Sequence, residues 1–381
     1  MIPAARIAAA ADILDRILHG DPAEAALLRW SRASRYAGSG DRAAVRDLVF
    51  QALRCRNSLA LRGGALTGRG LMIGLLRDEG RDPRDLFTGE GHAPAPLTPE
   101  EAAAHPGEAI DLPDWILPRW HSSLGQRAEQ EAQALRSRAP VWLRVNPVQA
   151  TPTQAIEALS EDGIEVQPDG RLPSALRVTG NERRLSQSRA YLGGLVELQD
   201  LSVQMACAEL PLADGQSILD YCAGGGGKSL GLAGRAKDLR LVAHDADSRR
   251  MSDLPARAAR AGVRIDVTSR PSGRFALVMT DVPCSGSGTW RRTPDAKWRL
   301  TEDNLAGLLK TQTGILEDAC QFVAPSGVLA YMTCSMLTEE NDDQVTAFLS
   351  RHPEFALLSS HRWSPATASD GFFLGLLGRR A

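Results

Sequence analysis

The sequence lacks the closely spaced cysteines of a structural zinc site or a disulfide framework. Its six cysteines are dispersed over 381 residues without a C-x-x-C pair, a usage that suits a reducing compartment. No apolar run is long enough to cross a bilayer, and Asp12 and Asp15 interrupt the N-terminal segment where a signal peptide would be apolar. These absences predict a cytoplasmic protein without a membrane segment or a metal site.

The chain also lacks a strong net charge, since its formal charge at pH 7 is −2. The charges are distributed unevenly, however: residues 1–70 contain eleven arginines, six acidic residues and no lysine. A basic helical segment can bind the phosphates of a nucleic acid, but arginine-rich helices exposed to solvent are also common. Charge alone leaves both interpretations of this segment open.

The first region, residues 1–108, has the pattern of an all-α domain that ends in a Pro/Gly-rich linker. Asp41 is a suitable N-cap for the segment DRAAVRDLVFQALRCR. Within that segment, Val45, Val49 and Leu53 recur at helical spacing and predict one buried helix face.

The rest of the chain alternates strand and helix patterns. Strand, helix and strand signals predict a small α/β subdomain over residues 109–196. Over residues 197–381, apolar strands alternate with longer helical segments, which is typical of a doubly wound, mostly parallel sheet. Such a sheet binds its ligands at the carboxyl ends of its strands.

A glycine-rich stretch, DYCAGGGGKS at residues 220–229, follows the first predicted strand of that sheet. It differs from a Walker A loop, because Cys222 occupies the position of the first glycine. It also differs from the dinucleotide fingerprint, because Ser229 occupies the third glycine position. Glycines that allow close backbone approach, followed by a strand that ends in Asp245, suit a nucleoside without phosphates, such as S-adenosylmethionine. Asp245 would then bind the ribose hydroxyls; a plain strand-end carboxylate is the alternative.

Two cysteines are predicted at the same edge of the sheet. Cys284 follows a buried strand in TDVPCSGSG, close to Asp281, and Cys334 follows the next strand in YMTCSMLTEEN. A single cysteine there could be a small buried apolar residue. Two thiols beside a carboxylate instead fit methylation of cytosine at C5, in which a thiolate adds to C6. The carboxyl group would then offset the charge on the ring.

These motifs resemble those of the Sun/Fmu (Nol/Nop/Sun) family of S-adenosylmethionine-dependent RNA cytosine-5 methyltransferases, in particular bacterial members with an N-terminal NusB-like domain. The resemblance extends from the helical start through VWLRVNP and ELQDLSVQMAC to the closing DGFFLGLLGR. It implies that Cys334 is the nucleophile, that Cys284 assists proton removal and release, and that Asp281 contacts the target cytosine. It also implies a Rossmann-like methyltransferase domain, preceded by the α/β subdomain and an all-α NusB-like, RNA-binding domain.

The same resemblance implies a cofactor site for S-adenosylmethionine around the glycine loop. Lys228 could orient Asp281 and the two cysteines at the carboxyl edge of the sheet, or could be an ordinary lysine in the first turn of a helix. The residues expected to bind the cofactor are Cys222, Ala223, Gly224, Gly225, Gly226, Gly227, Lys228, Asp245 and Asp281.

The sequence departs from the family pattern at two places. Gly224 and Gly225 replace an alanine and a proline of the family loop, which removes stiffness but keeps backbone access. An acidic residue that approaches the adenine normally follows the third strand, whereas here only Asp266, predicted within that strand, is near.

The sequence thus predicts an enzyme that forms 5-methylcytosine in RNA, with small-subunit ribosomal RNA as the first expectation and transfer RNA as the second. A catalytically silent RNA-binding or ribosome assembly factor on the same fold is an alternative from another class. A protein or small-molecule methyltransferase would leave the paired cysteines beside Asp281 without a purpose. Nothing in the sequence requires more than a monomer.

Overall fold

The computed structural model describes residues 1–103 and 107–381; residues 104–106, in the predicted linker, lie outside the described residues. The chain divides into two compact units. The helical unit comprises Met1–His121, Gly125–Arg138 and Trp290–Leu300. The sheet unit comprises Ser122–Leu124, Ala139–Thr289 and Thr301–Ala381.

Helices of four to eighteen residues occur in both units. In the described residues they are α1 (Pro3–Leu18), α2 (Ala23–Ala33), α3 (Ser39–Arg54), α4 (Arg56–Gly63), α5 (Gly68–Asp78), α6 (Pro99–Ala102), α7 (Leu117–Leu124), α8 (Ala128–Ala134), α9 (Pro152–Glu161), α10 (Arg189–Leu192), α11 (Leu201–Ala208), α12 (Gly227–Leu232), α13 (Leu254–Ala261), α14 (Pro294–Arg299), α15 (Glu302–Ala319) and α16 (Asp342–Arg351). Short 3-10 turns lie at Pro83–Asp85, Asp114–Ile116, Gly125–Arg127, Glu182–Gln187, Ser248–Met251, Cys320–Phe322 and Thr338–Glu340.

The core of the helical unit forms where the apolar faces of α1, α3, α4 and α5 meet. Leu14, Val49, Leu59 and Leu71 are fully buried there, as the helical spacing of the apolar residues predicts. The prediction of Asp41 as N-cap of α3 is wrong, because the helix begins at Ser39 with Gly38 as its N-cap. Asp41 lies in the first turn, where its carboxylate accepts the Gly38 N–H at 3.3 Å, as the acidic residue of a capping box does.

The segment Trp290–Leu300 packs in the helical unit although it follows the sheet unit's strand and cysteine motif in sequence. Its Lys297 ammonium is buried and donates to the main-chain oxygen of Arg54 at 3.0 Å and of Asp111 at 2.5 Å. The indole N–H of Trp298 donates to the main-chain oxygen of Leu53 at 2.6 Å. The bonds to Leu53 and Arg54 satisfy carbonyl groups at the end of α3 that the helix itself leaves unpaired.

The sheet unit contains two sheets. Its strands are β1 (Trp142–Val145), β2 (Glu165–Pro168), β3 (Ala175–Gly180), β4 (Val196–Leu198), β5 (Ser217–Asp220), β6 (Arg240–Ala243), β7 (Asp266–Val267), β8 (Phe275–Asp281), β9 (Val323–Thr333), β10 (Phe355–Trp363) and β11 (Phe372–Arg379). An antiparallel sheet has the order β2-β3-β1-β4, and a seven-stranded sheet has the order β10-β11-β9-β8-β5-β6-β7.

The seven-stranded sheet is parallel from β7 to β9, and only β11 and β10 run antiparallel. Its central strands β5 and β8 and the second half of β9 are mostly buried, which explains their continuous apolar runs. The predicted doubly wound, mostly parallel fold of a Rossmann-like methyltransferase is therefore confirmed. The carboxyl ends of β5, β6, β8 and β9 lie at one edge of this sheet, which the next subsection describes.

Candidate active site

The structure brings Cys284 and Cys334 into contact at the carboxyl edge, with their sulfur atoms 3.3 Å apart. Strands β8 and β9 are parallel neighbours whose paired residues end at Asp281 and Met332. Cys284 lies three residues after the end of β8 and Cys334 directly follows β9, so both segments leave the sheet at the same edge. Contact with the Cys334 thiol, together with burial, raises the pKa of Cys284.

Asp281, the last residue of β8, forms an ion pair with Lys228 in the first turn of α12. The Lys228 Nζ atom lies 2.5 Å from a carboxylate oxygen of Asp281. Burial alone would lower the pKa of Lys228, but the attraction to Asp281 outweighs it and the pKa is raised. Lys228 is thus a buried cation that holds the Asp281 carboxylate at the end of β8.

The glycine loop joins the end of β5 to the start of α12. Gly224 and Gly226 have φ angles of 50° and 73°, in the left-handed region that favours glycine. A Cβ atom on Gly226 would lie 2.2 Å from Leu254, so only glycine fits there, whereas a Cβ on Gly227 would meet nothing within 4 Å. The loop therefore turns sharply and presents an open stretch of backbone at the start of α12.

Asp245, which follows β6, supports this loop. One of its carboxylate oxygens accepts the Gly224 N–H at 2.9 Å, and the other accepts the Asp247 N–H at 3.0 Å. Arg250 approaches the same carboxylate at 3.1 Å, and Asp245 itself is 4% exposed. The buried carboxylate is therefore held in place beside the loop rather than being a free surface charge at a strand end.

Asp220, at the end of β5, provides an additional acceptor. Its Oδ2 accepts a hydrogen bond from the Ser229 hydroxyl at 2.7 Å. Its Oδ1 is buried and has no hydrogen-bond partner within residues 1–103 and 107–381. Burial raises the pKa of this carboxyl to about 6. A buried acceptor beside an open glycine loop fits the ammonium and hydroxyl donors of S-adenosylmethionine, since buried polar atoms need a partner.

Cys222 and Ala223 line the loop on the side of β6. The Ala223 N–H donates to the main-chain oxygen of His244 at 2.8 Å, which ties the loop to the strand end. Burial and the nearby carboxylates of Asp220 and Asp281 raise the pKa of Cys222. The Cys222 thiol, which lines the loop, therefore stays protonated and is a poor nucleophile.

The sequence does not reveal the residues that fasten the loop from below. Arg144 of β1 donates to the main-chain oxygen of Gly227 at 3.0 Å and to the side chain of Gln199 at 2.5 Å. The Gln199 amide donates to the same oxygen of Gly227 at 3.2 Å, and Arg257 donates to the main-chain oxygen of Gly225. Arg144 and Gln199 lie in the motifs VWLRVNP and ELQDLSVQMAC, which carry the family resemblance. The motifs alone do not indicate that these two residues contact the glycine loop.

Glu340 was also not predicted as a site residue from the sequence. It is completely buried and accepts hydrogen bonds from Ser285 and Ser335, the residues that follow the two cysteines. Its position in the polar run TEEN suggests an exposed turn, so its burial could not be predicted from the neighbouring residues. Asp266 lies in β7 as expected, but it is exposed and pairs with Arg264 at 3.2 Å.

Residues 1–103 and 107–381 contain neither a candidate metal cluster nor a candidate membrane-spanning helix. No group of three or more His, Cys, Asp or Glu side chains there is arranged to hold a metal ion. No helix in that part of the chain is long and apolar enough to cross a membrane.

Two family models match the chain. One, described as 16S rRNA methyltransferase RsmB/F, matches residues 207–373. The other, the ferredoxin-like domain of RsmF/B-like methyltransferases, matches residues 112–183. The first match contains the glycine loop, Asp245 and both cysteines of the edge, and the second contains β1 with Arg144.

The chain is also similar to curated proteins named ribosomal RNA small subunit methyltransferase B. The protein from Vibrio cholerae is 30% identical over 328 residues, which cover 82% of this chain and 73% of the relative. The protein from Photorhabdus laumondii is 30% identical over 285 residues, which cover 70% of this chain and 66% of the relative. The chain thus spans about two thirds to three quarters of the length of these relatives.

Solved structures share the fold. The crystal structure of PH0851 has a TM-score of 0.76 and 23% identity, and the match covers 99% of both chains. NSun6 from Pyrococcus horikoshii with SFG has a TM-score of 0.63 and 16% identity, covering 71% of this chain and 98% of that one. At these identities the likeness shows the fold alone.

Proposed function

We propose that this chain, which belongs to the RsmB/F family of 16S rRNA methyltransferases, forms 5-methylcytosine in small-subunit ribosomal RNA. The observation that carries the proposal is the contact between the Cys284 and Cys334 sulfur atoms at 3.3 Å, beside the Lys228–Asp281 ion pair. Methyl transfer to a ring nitrogen or oxygen needs no thiol, because the accepting atom already has a lone pair that can attack the methyl group. Activation of a pyrimidine carbon does need a covalent nucleophile.

The reaction begins when the Cys334 thiolate adds to C6 of the cytosine. The new S–C6 bond takes the electrons of the thiolate, and the C5–C6 double bond passes negative charge into the ring towards N3. Asp281 would accept a hydrogen bond from the cytosine amino group, and the ammonium group of Lys228 paired with it would supply the positive charge that offsets the charge developing at N3. Such a preorganised polar group stabilises developing charge without having to reorganise.

S-adenosylmethionine, when bound, supplies a methyl group that the nucleophilic C5 atom attacks. Cys284 then removes the proton from C5, the C5–C6 double bond forms again, and the S–C6 bond breaks to release Cys334 as a thiolate. The contact between the Cys284 and Cys334 sulfur atoms at 3.3 Å supports this division of roles, because a group beside the nucleophile is close to C5 when the nucleophile is bonded to C6.

The cofactor would occupy the glycine loop. The unpartnered Oδ1 of Asp220 is an acceptor for a donor group of the ligand, and the backbone at Gly227 is open to close approach. Asp245 would receive the ribose hydroxyls, and the exposed Arg250 that now pairs with it would give way. Asp281 would face the methyl donor as well as the cytosine, as expected from the sequence.

The helical unit provides a surface for RNA. Arg32, Arg35 and Arg42 are exposed near the end of α2 and the start of α3, and Tyr36 between them is 74% exposed. Arginines bind phosphates, and an exposed aromatic ring can stack on an unpaired base. We propose that residues 1–108 contribute this binding as a NusB-like domain.

Methyl transfer to defined RNAs tests the proposal. Purified protein with labelled S-adenosylmethionine should methylate unmodified 16S rRNA, and bisulfite sequencing of RNA from cells without the gene should lose one 5-methylcytosine in that rRNA. A lost 5-methylcytosine in a transfer RNA would reassign the substrate. Absence of label in both RNAs would contradict the proposal and favour an RNA-binding or assembly factor.

A further inference from the structure

Behind the two cysteines lies a carboxyl group that the proposed chemistry does not use. Glu340 ends the turn Thr338–Glu340, six residues after Cys334, and its exposed fraction is 0%. Burying a carboxyl group is unfavourable unless it is fully hydrogen-bonded. A buried carboxyl group at this position is therefore expected to have specific hydrogen-bond partners and a role in the site.

The partners of Glu340 connect the two cysteine loops. Its Oε1 accepts the Ser285 N–H at 2.8 Å and the side-chain amide of Gln312 at 2.9 Å. Its Oε2 accepts the hydroxyl groups of both Ser285 and Ser335. Ser285 directly follows Cys284, and Ser335 directly follows Cys334. One carboxyl group thus holds the residue after each cysteine.

Four donors on two oxygens match an ionised carboxylate, which only accepts hydrogen bonds. Bonds of this charge-assisted kind are shorter and stronger than those between neutral groups. The Gln312 amide also donates to the main-chain oxygen of Pro283 at 3.0 Å, so the same cluster holds the residue before Cys284.

The backbone of the sheet cannot set the spacing of the sulfur atoms by itself. The pairing of β8 with β9 ends at Asp281 and Met332, before either cysteine is reached. Beyond that point the Gly288 N–H donates to the main-chain oxygen of Cys334 at 2.9 Å. Side chains add further links between the two loops: the Glu340 carboxylate, and the Ser287 hydroxyl, which lies 3.0 Å from the Ser335 hydroxyl and accepts the Met336 N–H at 2.8 Å.

We propose that Glu340 is a positioning residue of the active site, which holds Cys284 and Cys334 at a spacing that lets one cytosine contact both sulfur atoms. The inference rests on the proposed function for its catalytic meaning, but the spacing itself belongs to the free protein. Its negative charge is also one of the causes that raise the pKa of Cys284.

Glu340→Gln tests the role in turnover. Glutamine has the same size, but its amide nitrogen cannot accept the two serine hydroxyls. We expect kcat for RNA methylation to fall about tenfold to a hundredfold, as for displaced reacting groups, with KM for RNA and for S-adenosylmethionine unchanged. The matched control is Glu317→Gln, which removes a half-exposed carboxylate paired with Arg351 and His352 on the outside of α15. That control should behave as the wild type.

A second measurement does not depend on methylation. Hydrogen peroxide takes two electrons and two protons from the two thiols and gives a Cys284–Cys334 disulfide and water. Its rate of formation in the free protein, followed by mass spectrometry, reports how often the sulfur atoms meet. We expect slower disulfide formation in Glu340→Gln and in Ser335→Ala, which removes the hydrogen bond of the Ser335 hydroxyl to Glu340 together with its contacts to the hydroxyl groups of Ser285 and Ser287.

The outcomes separate the two proposals. Wild-type kcat and wild-type disulfide formation in both variants would overturn the positioning role. A wild-type protein that fails to methylate RNA, combined with slower disulfide formation in the variants, would contradict the proposed function and leave the positioning role intact. A third outcome is a lower kcat and a lower melting temperature in the variants, with normal disulfide formation in the folded fraction. It would show that Glu340 only stabilises the fold, and it would also overturn the proposal.

Discussion

The sulfur atoms of Cys284 and Cys334 lie 3.3 Å apart although fifty positions separate the two residues in the chain. The contact exists because β8 and β9 are parallel neighbours in the sheet, and each cysteine follows its strand at the carboxyl end. A ring placed over this pair can be attacked by one sulfur atom and deprotonated by the other.

Replacement of each cysteine should give a different phenotype. Cys334→Ala should abolish methyl transfer while S-adenosylmethionine still binds, because only the nucleophile is lost. Cys284→Ala should instead accumulate a covalent protein–RNA adduct, because the C5 proton is no longer removed and the S–C6 bond cannot break. Denaturing gels with labelled RNA would reveal the adduct as a slowly migrating band. An adduct in Cys334→Ala and none in Cys284→Ala would exchange the two roles.

The close thiols should also make the enzyme sensitive to peroxide. Oxidation to the Cys284–Cys334 disulfide removes the nucleophile, so methyl transfer should stop, and dithiothreitol should restore it by reduction. The half-buried position of both cysteines admits a small oxidant, whereas Cys55, Cys207 and Cys320 are buried. Peptide mapping should find the bond between residues 284 and 334. Loss of activity without this bond would point to oxidation of a single sulfur atom instead.

Arg144→Lys should weaken cofactor binding more than it weakens the fold. Lysine retains the charge but cannot donate to both Gln199 and the main-chain oxygen of Gly227 in the same geometry. The start of α12 would then be held less firmly, and we expect the Kd for S-adenosylmethionine to rise several-fold by calorimetry. Arg177→Lys, an exposed change on the neighbouring strand β3, is the control. An unchanged Kd in Arg144→Lys would show that the loop needs no support from β1.

Asp220→Asn should change the pH dependence of stability. The folded pKa of Asp220 is raised from 3.8 to about 6, so its stabilising contribution is complete below pH 3.8 and is lost as the pH rises through 6. Two pKa units correspond to about 3 kcal/mol. Asparagine does not titrate, and the free energy of unfolding of the variant relative to the wild type should rise by about that amount between pH 4 and pH 7. Urea unfolding at several pH values measures it, and a constant difference would contradict the raised pKa.

The edge of the sheet was predictable because its residues directly follow apolar strands. The glycine loop follows β5, Asp245 follows β6, Cys284 follows β8 and Cys334 follows β9. Parallel strands end at one edge, so local order in the sequence becomes proximity in space. The prediction failed where local patterns are ambiguous: Asp41 can cap a helix or lie in its first turn, and both are favourable for a carboxylate.

The amino-acid sequence by itself determined which side chains follow each strand at the edge, and the family, since these depend on residue types and short-range periodicity. Only the tertiary structure decided which groups set their geometry. Arg144 meets the backbone of Gly227 across 83 positions, and Glu340 meets Ser285 across 55. Such contacts depend on how buried polar groups satisfy one another after the chain has packed, which no local pattern encodes.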